Sequence, residues 1–222
     1  MRAGTKLALA IALLGAAVPA VPAPLAAQGF LEGFSYSGLR FSGIGADLGA
    51  VVSDRLDRAI SGAVRVDYGY IAPHVRTLIS ASYFRANFNA SELARFAQRL
   101  RGVVQDPTND FSIDVGTISW TNVEFDLDLQ YMFGPDRPVT PYVGLGLGAQ
   151  FRHGSGAAID NTFVADALST IAADLNGSAG VEVTIVRDLR LTAELRASLS
   201  SGLVNATGRL GMMYRLPLPG SR

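Results

Sequence analysis

The chain of 222 residues contains no cysteine, which excludes disulfides and thiolate metal sites. Lysine is almost missing as well, because Lys6 is the only one. Of the 19 basic residues, Arg2 and Lys6 lie before residue 28, so the remainder of the chain sets 17 arginines against 19 acidic residues. The near balance of charge argues against a nucleic-acid-binding surface. Arginine without lysine favours paired, partly desolvated or phosphate-facing charges, and a compositional bias of the source genome is the alternative.

Long apolar runs are also missing, apart from one near the N-terminus. Arg2 and Lys6 precede an apolar stretch at residues 7–18, and a Pro/Ala-rich stretch follows it up to Ala27. This order is typical of a secretory signal peptide. A membrane anchor is the alternative, but the run is shorter than the ~18 residues that a spanning helix needs. We therefore expect a signal peptide at residues 1–27, cleaved after Ala27, and one domain at residues 28–222.

Alternation of apolar and polar residues dominates the chain after residue 28. In residues 122–133 one parity is apolar or aromatic throughout, from Val123 to Phe133, and the other is mostly acidic or polar. Successive side chains of a strand point to opposite faces, so this pattern predicts a strand with one apolar and one polar face. Comparable segments make eight strands, at residues 39–52, 64–70, 77–88, 122–133, 143–152, 179–185, 189–197 and 209–216. A change of parity in the first strand predicts a bulge at Ser42 and Gly43.

The lengths of the connections distinguish between two folds that alternation alone permits. The apolar faces could meet inside a soluble sandwich, or they could face lipid around a membrane barrel. The second, fourth and sixth connections are short, whereas the two longest, residues 89–119 and 154–176, are both odd-numbered. Outer-membrane barrels combine short periplasmic turns with longer external loops. We therefore predict an all-β fold, an eight-stranded antiparallel up-and-down transmembrane barrel in the bacterial outer membrane.

Two further features refine this prediction. Six aromatic residues fall at the expected periplasmic rim, where amphipathic rings favour the headgroup region: Tyr68, Tyr70, Tyr131, Phe133, Tyr142 and Tyr214. The two long external loops each contain a stretch with helical spacing. The first stretch is residues 91–101, with Ser91 as its N-terminal cap. The second stretch is residues 162–175. We expect both to form short helices at the external mouth.

Three segments resemble the OmpA-like outer-membrane β-barrel superfamily. Residues 140–148, TPYVGLGLG, resemble its fifth strand, and residues 180–196 resemble its penultimate hairpin. The pattern Arg209-x-Gly211-x-x-Tyr214-x-Leu216 is similar to the C-terminal signal read by the barrel-assembly machinery, although this chain continues to Arg222. The resemblance implies a small barrel assembled by that machinery. We expect no peptidoglycan-binding role, because residues 28–222 contain no such domain.

The polar parity of the strands fills the predicted interior with charge. An eight-stranded barrel is just wide enough for side chains to fill. Six arginines and six acids face inward, namely Arg65, Asp67, Glu124, Asp126, Asp128, Arg152, Glu182, Arg190, Glu194, Arg196, Arg209 and Arg215. We expect an ion-pair network that plugs the lumen, with Arg152 beside Asp126 and Arg209 beside Glu194. A small conducting pore is the alternative. Clustered carboxylates could also bind metal or serve acid–base catalysis, but the opposing arginines favour salt bridges.

One motif raises an enzymatic alternative. His153 and Ser155 resemble the His-x-Ser pair of outer-membrane lipid A deacylases, but the asparagine-alanine-glycine continuation of that family is replaced by Gly156-Ala157-Ala158. No acid is placed by spacing to complete a triad. We therefore predict a non-enzymatic structural or surface-interaction barrel without metal or cofactor. Its expected partners are outer-membrane lipid and lipopolysaccharide and the assembly machinery, with no nucleic acid, and it is expected to be a monomer.

Overall fold

The computed structural model describes residues 35–103, 116–157, 159, 165 and 168–216. Eight strands follow one another in sequence order and close into an antiparallel barrel, with β1 paired to β8. They are β1 (Leu39–Ser53), β2 (Ala59–Ala72), β3 (Val75–Asn87), β4 (Ser119–Met132), β5 (Val139–Ser155), β6 (Thr170–Val186), β7 (Leu189–Ser200) and β8 (Leu203–Arg215). The prediction of an eight-stranded up-and-down barrel is confirmed. The expected signal peptide, residues 1–27, lies outside the described residues.

The first of the two predicted helices is present. Helix α1 (Ala90–Val103) lies between β3 and β4, as expected for residues 91–101. Its cap is Asn89 and not Ser91, because the Glu92 amide donates to Asn89 Oδ1 at 3.0 Å. Side-chain acceptance of a free amide in the first turn is what a capping residue provides.

The second predicted helix, residues 162–175, is wrong only in part: Ala165 and Leu168 are helical, but the chain is a strand from Thr170 onward. Strand β6 begins at Thr170, and residues 161–164 lie outside the described part of the chain. Ile171 and Leu175 are four residues apart, which fits one face of a helix, but Ile171, Ala173 and Leu175 also alternate as a strand requires. A short apolar segment cannot be assigned by periodicity alone. Pairing with β5, where Leu147 lies opposite Leu175, decides in favour of the strand.

The connections are less regular than predicted. The two long ones, residues 88–118 and 156–169, lie at the same end of the barrel, which we call the external end. The other two connections at that end are short, residues 54–58 and 201–202. Links of two residues also join β2 to β3 and β6 to β7 at the opposite, periplasmic end. The external end therefore holds both long loops, but not every external connection is long.

Strand β1 contains the predicted bulge. Its register with β2 shifts between Leu39 and Gly43, at Ser42 and Gly43 as expected. Gly69 on β2 faces this irregular stretch with φ of 80°. A Cβ on Gly69 would lie 2.6 Å from the carbonyl oxygen of Gly38. Glycine at this position lets the two backbones approach closely.

The barrel is apolar outside and polar inside. Leu48, Leu127, Leu145 and Leu195 on the outer face are 52–71% exposed. The inner face carries most of the buried charged and amide side chains, which a soluble protein would place outside. No helix in the described residues is long and apolar enough to cross a membrane. The outer surface thus forms an apolar belt that requires a hydrocarbon environment.

The aromatic rim is present at four of the six predicted positions, because Tyr70 is half-buried with a buried hydroxyl and Tyr142 is buried. Tyr68, Tyr131, Phe133 and Tyr214 are exposed on the outer face near the periplasmic end. Tyr142 is 1% exposed, so its prediction as a rim residue is wrong. It belongs to the inward parity of β5, and its hydroxyl lies in the lumen.

Arginine on the apolar belt should be costly. Leu127→Arg and Leu195→Arg, near the middle of β4 and β7, should each lower the free energy of unfolding by about 2–4 kcal/mol, because the charge meets lipid. Reversible urea unfolding in lipid vesicles measures this change. Ala94→Arg on the exposed face of α1 is the control and should change stability by less than about 0.5 kcal/mol. Equal losses at all three positions would contradict the assignment of the faces.

Candidate functional site: the charged lumen

The lumen is where the structure concentrates polar chemistry. Ten of the twelve predicted inward residues are buried, and Arg190 and Arg215 are half-buried at the periplasmic mouth. Three further charged residues, which the sequence analysis missed, are also buried inside: Asp47, Arg76 and Asp174. The parity of β1 after its bulge would have found Asp47. Arg76 lies next to a predicted turn. Asp174 lies in the part of the second predicted helix that belongs to β6 in the structure.

At the periplasmic level a single carboxylate meets three arginines. Glu182 accepts from Arg76 at 2.7 Å, from Arg190 at 2.6 Å and from Arg215 at 3.2 Å. Asp67 lies 3.6 Å from the same Arg76. Both acids are about 1% exposed, so their charges depend on these guanidinium groups in place of water.

At the central level one arginine joins two acids. Arg65 donates through Nε to Asp47 at 2.5 Å and through Nη1 to Glu194 at 2.9 Å. Glu194 also accepts from the Tyr142 hydroxyl at 2.9 Å. Arg65 is on β2 and Glu194 is on β7, so this contact crosses the barrel and does not follow a neighbouring strand.

At the external level acids outnumber their arginine. Arg196 lies 2.8 Å from Asp126 and 2.9 Å from Asp128. Glu124 and Asp174 form no ion pair within 4.0 Å among the described residues. Their hydrogen-bond partners are neutral: the Gln150 amide donates to Asp174 at 2.8 Å, and Ser82 donates to Glu124 at 3.2 Å.

The two ion pairs chosen from the sequence are not the ones in the structure. Asp126 pairs with Arg196 and not with Arg152. Arg152 donates to Gln150, to the Ser200 hydroxyl and to the Ser201 carbonyl, and its guanidinium lies 5.3 Å from the Trp120 ring centre.

The partner predicted for Glu194 is also wrong. Glu194 pairs with Arg65, while Arg209, its register neighbour, forms no ion pair in the described part of the chain. The physical reason for both corrections is that long arginine side chains reach across the narrow lumen.

Glycines on β5 make room for two of these acids. A Cβ on Gly148 would meet the Asp126 carboxylate, and one on Gly146 would meet Asp128 and Asn176. Small residues on one wall therefore allow carboxylates from β4 and the Asn176 amide from β6 to project into the lumen.

The proposed His-x-Ser pair is not brought together. His153 Nδ1 lies 3.0 Å from Ser169 Oγ, and both residues belong to the outer surface near the external end. Ser155 lies 3.1 Å from Ser119 and 3.4 Å from Arg85. Among the described residues no hydrogen bond joins His153 to Ser155.

Solved structures of similar shape are small outer-membrane barrels. The neisserial surface protein NspA matches with a TM-score of 0.51 and 14% identity, over 81% of this chain and 98% of that chain. This chain has the fold of those barrels. The N-terminal barrel of Pseudomonas aeruginosa OprF gives a TM-score of 0.48 and 14% identity, over 80% and 99% of the two chains. The attachment invasion locus protein Ail of Yersinia pestis gives 0.46 and 15%, over 81% and 99%. No protein-family model and no curated protein matches.

The similarity at 14% identity shows the fold alone. The distribution of apolar and charged residues over the two faces of the barrel is a separate observation. A closed eight-stranded barrel with an apolar outside and a charged inside is the arrangement that the outer membrane accepts. The chain has the fold of a small eight-stranded outer-membrane β-barrel.

The corrected ion pairs can be separated by double-mutant cycles. Asp126→Asn combined with Arg196→Met should show a coupling of about 1 kcal/mol or more, because the two side chains are in contact. Asp126→Asn combined with Arg152→Met should be additive within about 0.5 kcal/mol. Urea unfolding followed by Trp120 fluorescence gives all the free energies. A larger coupling to Arg152 than to Arg196 would contradict the contacts described here.

Proposed function

We propose that this barrel is a structural protein with a closed lumen, whose external surface carries its interactions. The observation that carries the proposal is the set of arginines that cross the lumen. Arg76 joins β3 to β6, Arg65 joins β2 to β7, and Arg196 joins β7 to β4. Side chains that cross the lumen at three levels occupy its cross-section. This favours a plugged lumen over a water-filled path.

The external end supports closure by a different chemistry. Val51, Leu56, Phe84, Trp120 and Leu203 form a buried apolar cluster there. Phe88 adds a ring 4.8 Å from that of Trp120. An ion crossing the lumen would have to pass this apolar layer after leaving the charged levels, and apolar constrictions oppose wetting.

Planar-bilayer recording tests the closed lumen against the small-pore alternative. The refolded protein should show no stable open conductance level, because paired charges and the apolar cluster fill the cross-section. Arg85→Gln, on the outer face, is a control and should behave like the parent. Stepwise conductance whose ion selectivity changes in Arg196→Gln would show that the lumen is a channel and would overturn the proposal.

The surface role is proposed for the external end, where α1 and the long loops lie. Arg95 of α1 is 70% exposed and lies 3.1 Å from Glu92, which also approaches Arg55 at 3.8 Å. A cavity of about 550 Å³ is lined by these three residues and Gln98. The mixture of charges suits a polar ligand or a charged protein surface better than an apolar one.

Outer-leaflet lipopolysaccharide is the proposed lipid partner. Arg85 points outward near the external end of β3 and donates to Ser119 at 3.0 Å and to Ser155 at 3.4 Å. A guanidinium flanked by hydroxyl groups at the membrane surface is suited to phosphate. The polar pair of His153 and Ser169 belongs to the same outer surface.

This lipid contact predicts a selective effect. Lipopolysaccharide should raise the melting temperature of the parent barrel in detergent, and Arg85→Gln should reduce that rise by half or more. Arg137→Gln, an exposed arginine at the periplasmic end, is the matched control and should keep the full rise. Identical shifts in all three proteins would contradict a specific role for Arg85.

The proposal has three further parts. Assembly by the barrel-assembly machinery is favoured by the end of β8, where Tyr214 is exposed and a Cβ on Gly211 would meet the Ala46 carbonyl. A monomeric state is proposed because the barrel has no unpaired strand edge. A non-enzymatic role is favoured over a lipid A deacylase because His153 bonds to Ser169 and not to Ser155.

A further inference from the structure

Three acids at the external level of the lumen form a compact oxygen cluster. One carboxylate oxygen each from Glu124, Asp126 and Asp174 lies within 4.8 Å of the other two. The three residues come from β4 and β6 and are only 3–4% exposed. Three negative charges so close together in a buried place need a positive charge among them.

The ion pairs of the arginines nearby supply only part of that charge. Arg196 pairs with Asp126, but it also pairs with Asp128, so its single charge is shared. Arg152 is occupied by Gln150, Ser200 and Ser201, none of which is acidic. At the periplasmic level, by contrast, Glu182 alone has three arginines. Among the described residues, therefore, one shared arginine pairs with the oxygen cluster, and no ion pair reaches Glu124 or Asp174.

A second observation points to a ligand at the same place. The Asn176 amide nitrogen lies 3.1 Å from Asp126 Oδ1, so this side chain reaches the cluster. Its carbonyl oxygen has no hydrogen-bond partner in the described part of the chain, although the residue is 2% exposed. Asp174 Oδ2 is likewise buried without a partner. The free Asn176 oxygen next to the three acids and the free Asp174 oxygen within the cluster are ligand atoms of the kind that a hard cation requires.

We propose that Glu124, Asp126 and Asp174 bind a divalent cation of the calcium type, with Asn176 Oδ1 as a fourth protein ligand. Carboxylate and amide oxygens are the ligands of calcium, which tolerates irregular geometry and six to eight oxygens. The described residues place no histidine among these side chains, and the chain has no cysteine, so the donor set does not suit zinc or copper.

Equilibrium dialysis of the refolded barrel against radioactive calcium tests the proposal directly. The parent should bind about one ion per barrel. Asp174→Asn and Glu124→Gln should each weaken binding by about tenfold or more, since each removes a charged ligand. Asp67→Asn is the matched control, because it removes a buried lumen acid at the other end and should bind like the parent. Heat-modifiable mobility on gels shows that each variant is folded.

A thermal measurement separates a cation from a shared proton. Calcium should raise the melting temperature of the parent at neutral pH, chelator should reverse the rise, and Asp174→Asn should lack it. A folded parent that binds no calcium would overturn the proposal. So would a parent whose melting temperature rises on mild acidification and ignores calcium, because a proton would then neutralise the cluster. Unchanged calcium binding in Asp174→Asn would also overturn it.

Discussion

Buried charge in a barrel of eight strands must be neutralised from within, because the interior is too narrow for bulk water to surround each group. Arginine meets this requirement better than lysine, since its long stem and planar fork reach two acceptors at once. Arg65 does so between Asp47 and Glu194, and Arg76 does so between Glu182 and Gln130. The near absence of lysine from the chain fits an interior built on such bridges.

The neutralisation is uneven along the barrel axis. Three arginines surround Glu182 at the periplasmic level, one arginine joins two acids at the central level, and at the external level Glu124 and Asp174 rely on neutral partners. Glu182 and Asp174 lie toward opposite ends of the same strand, β6. Stability and ligand binding are thus assigned to different levels of one lumen.

Much of this arrangement could be read from the sequence, because alternation fixes which face each residue occupies. The faces of β4, β5 and β7 and the bulge near Gly43 follow from local pattern alone. Residues 170–175 have a spacing that fits a helix as well as a strand, so the start of β6 was predicted as part of a helix. Asp174 lies in this segment and was therefore missed. The partner of Asp126 could not be predicted at all. It depends on which walls face each other after closure, and that is set by strand tilt and stagger.

The contacts that cross the lumen also constrain how the chain folds. Arg65 and Glu194 are 129 residues apart, and Arg76 and Glu182 are 106 apart. No hairpin of neighbouring strands contains both members of either pair, so a partly inserted sheet would expose unpaired charges to hydrocarbon. Such intermediates are strongly disfavoured. Membrane insertion and barrel closure are therefore expected to occur together, and the distant partners make this a slow, concerted event.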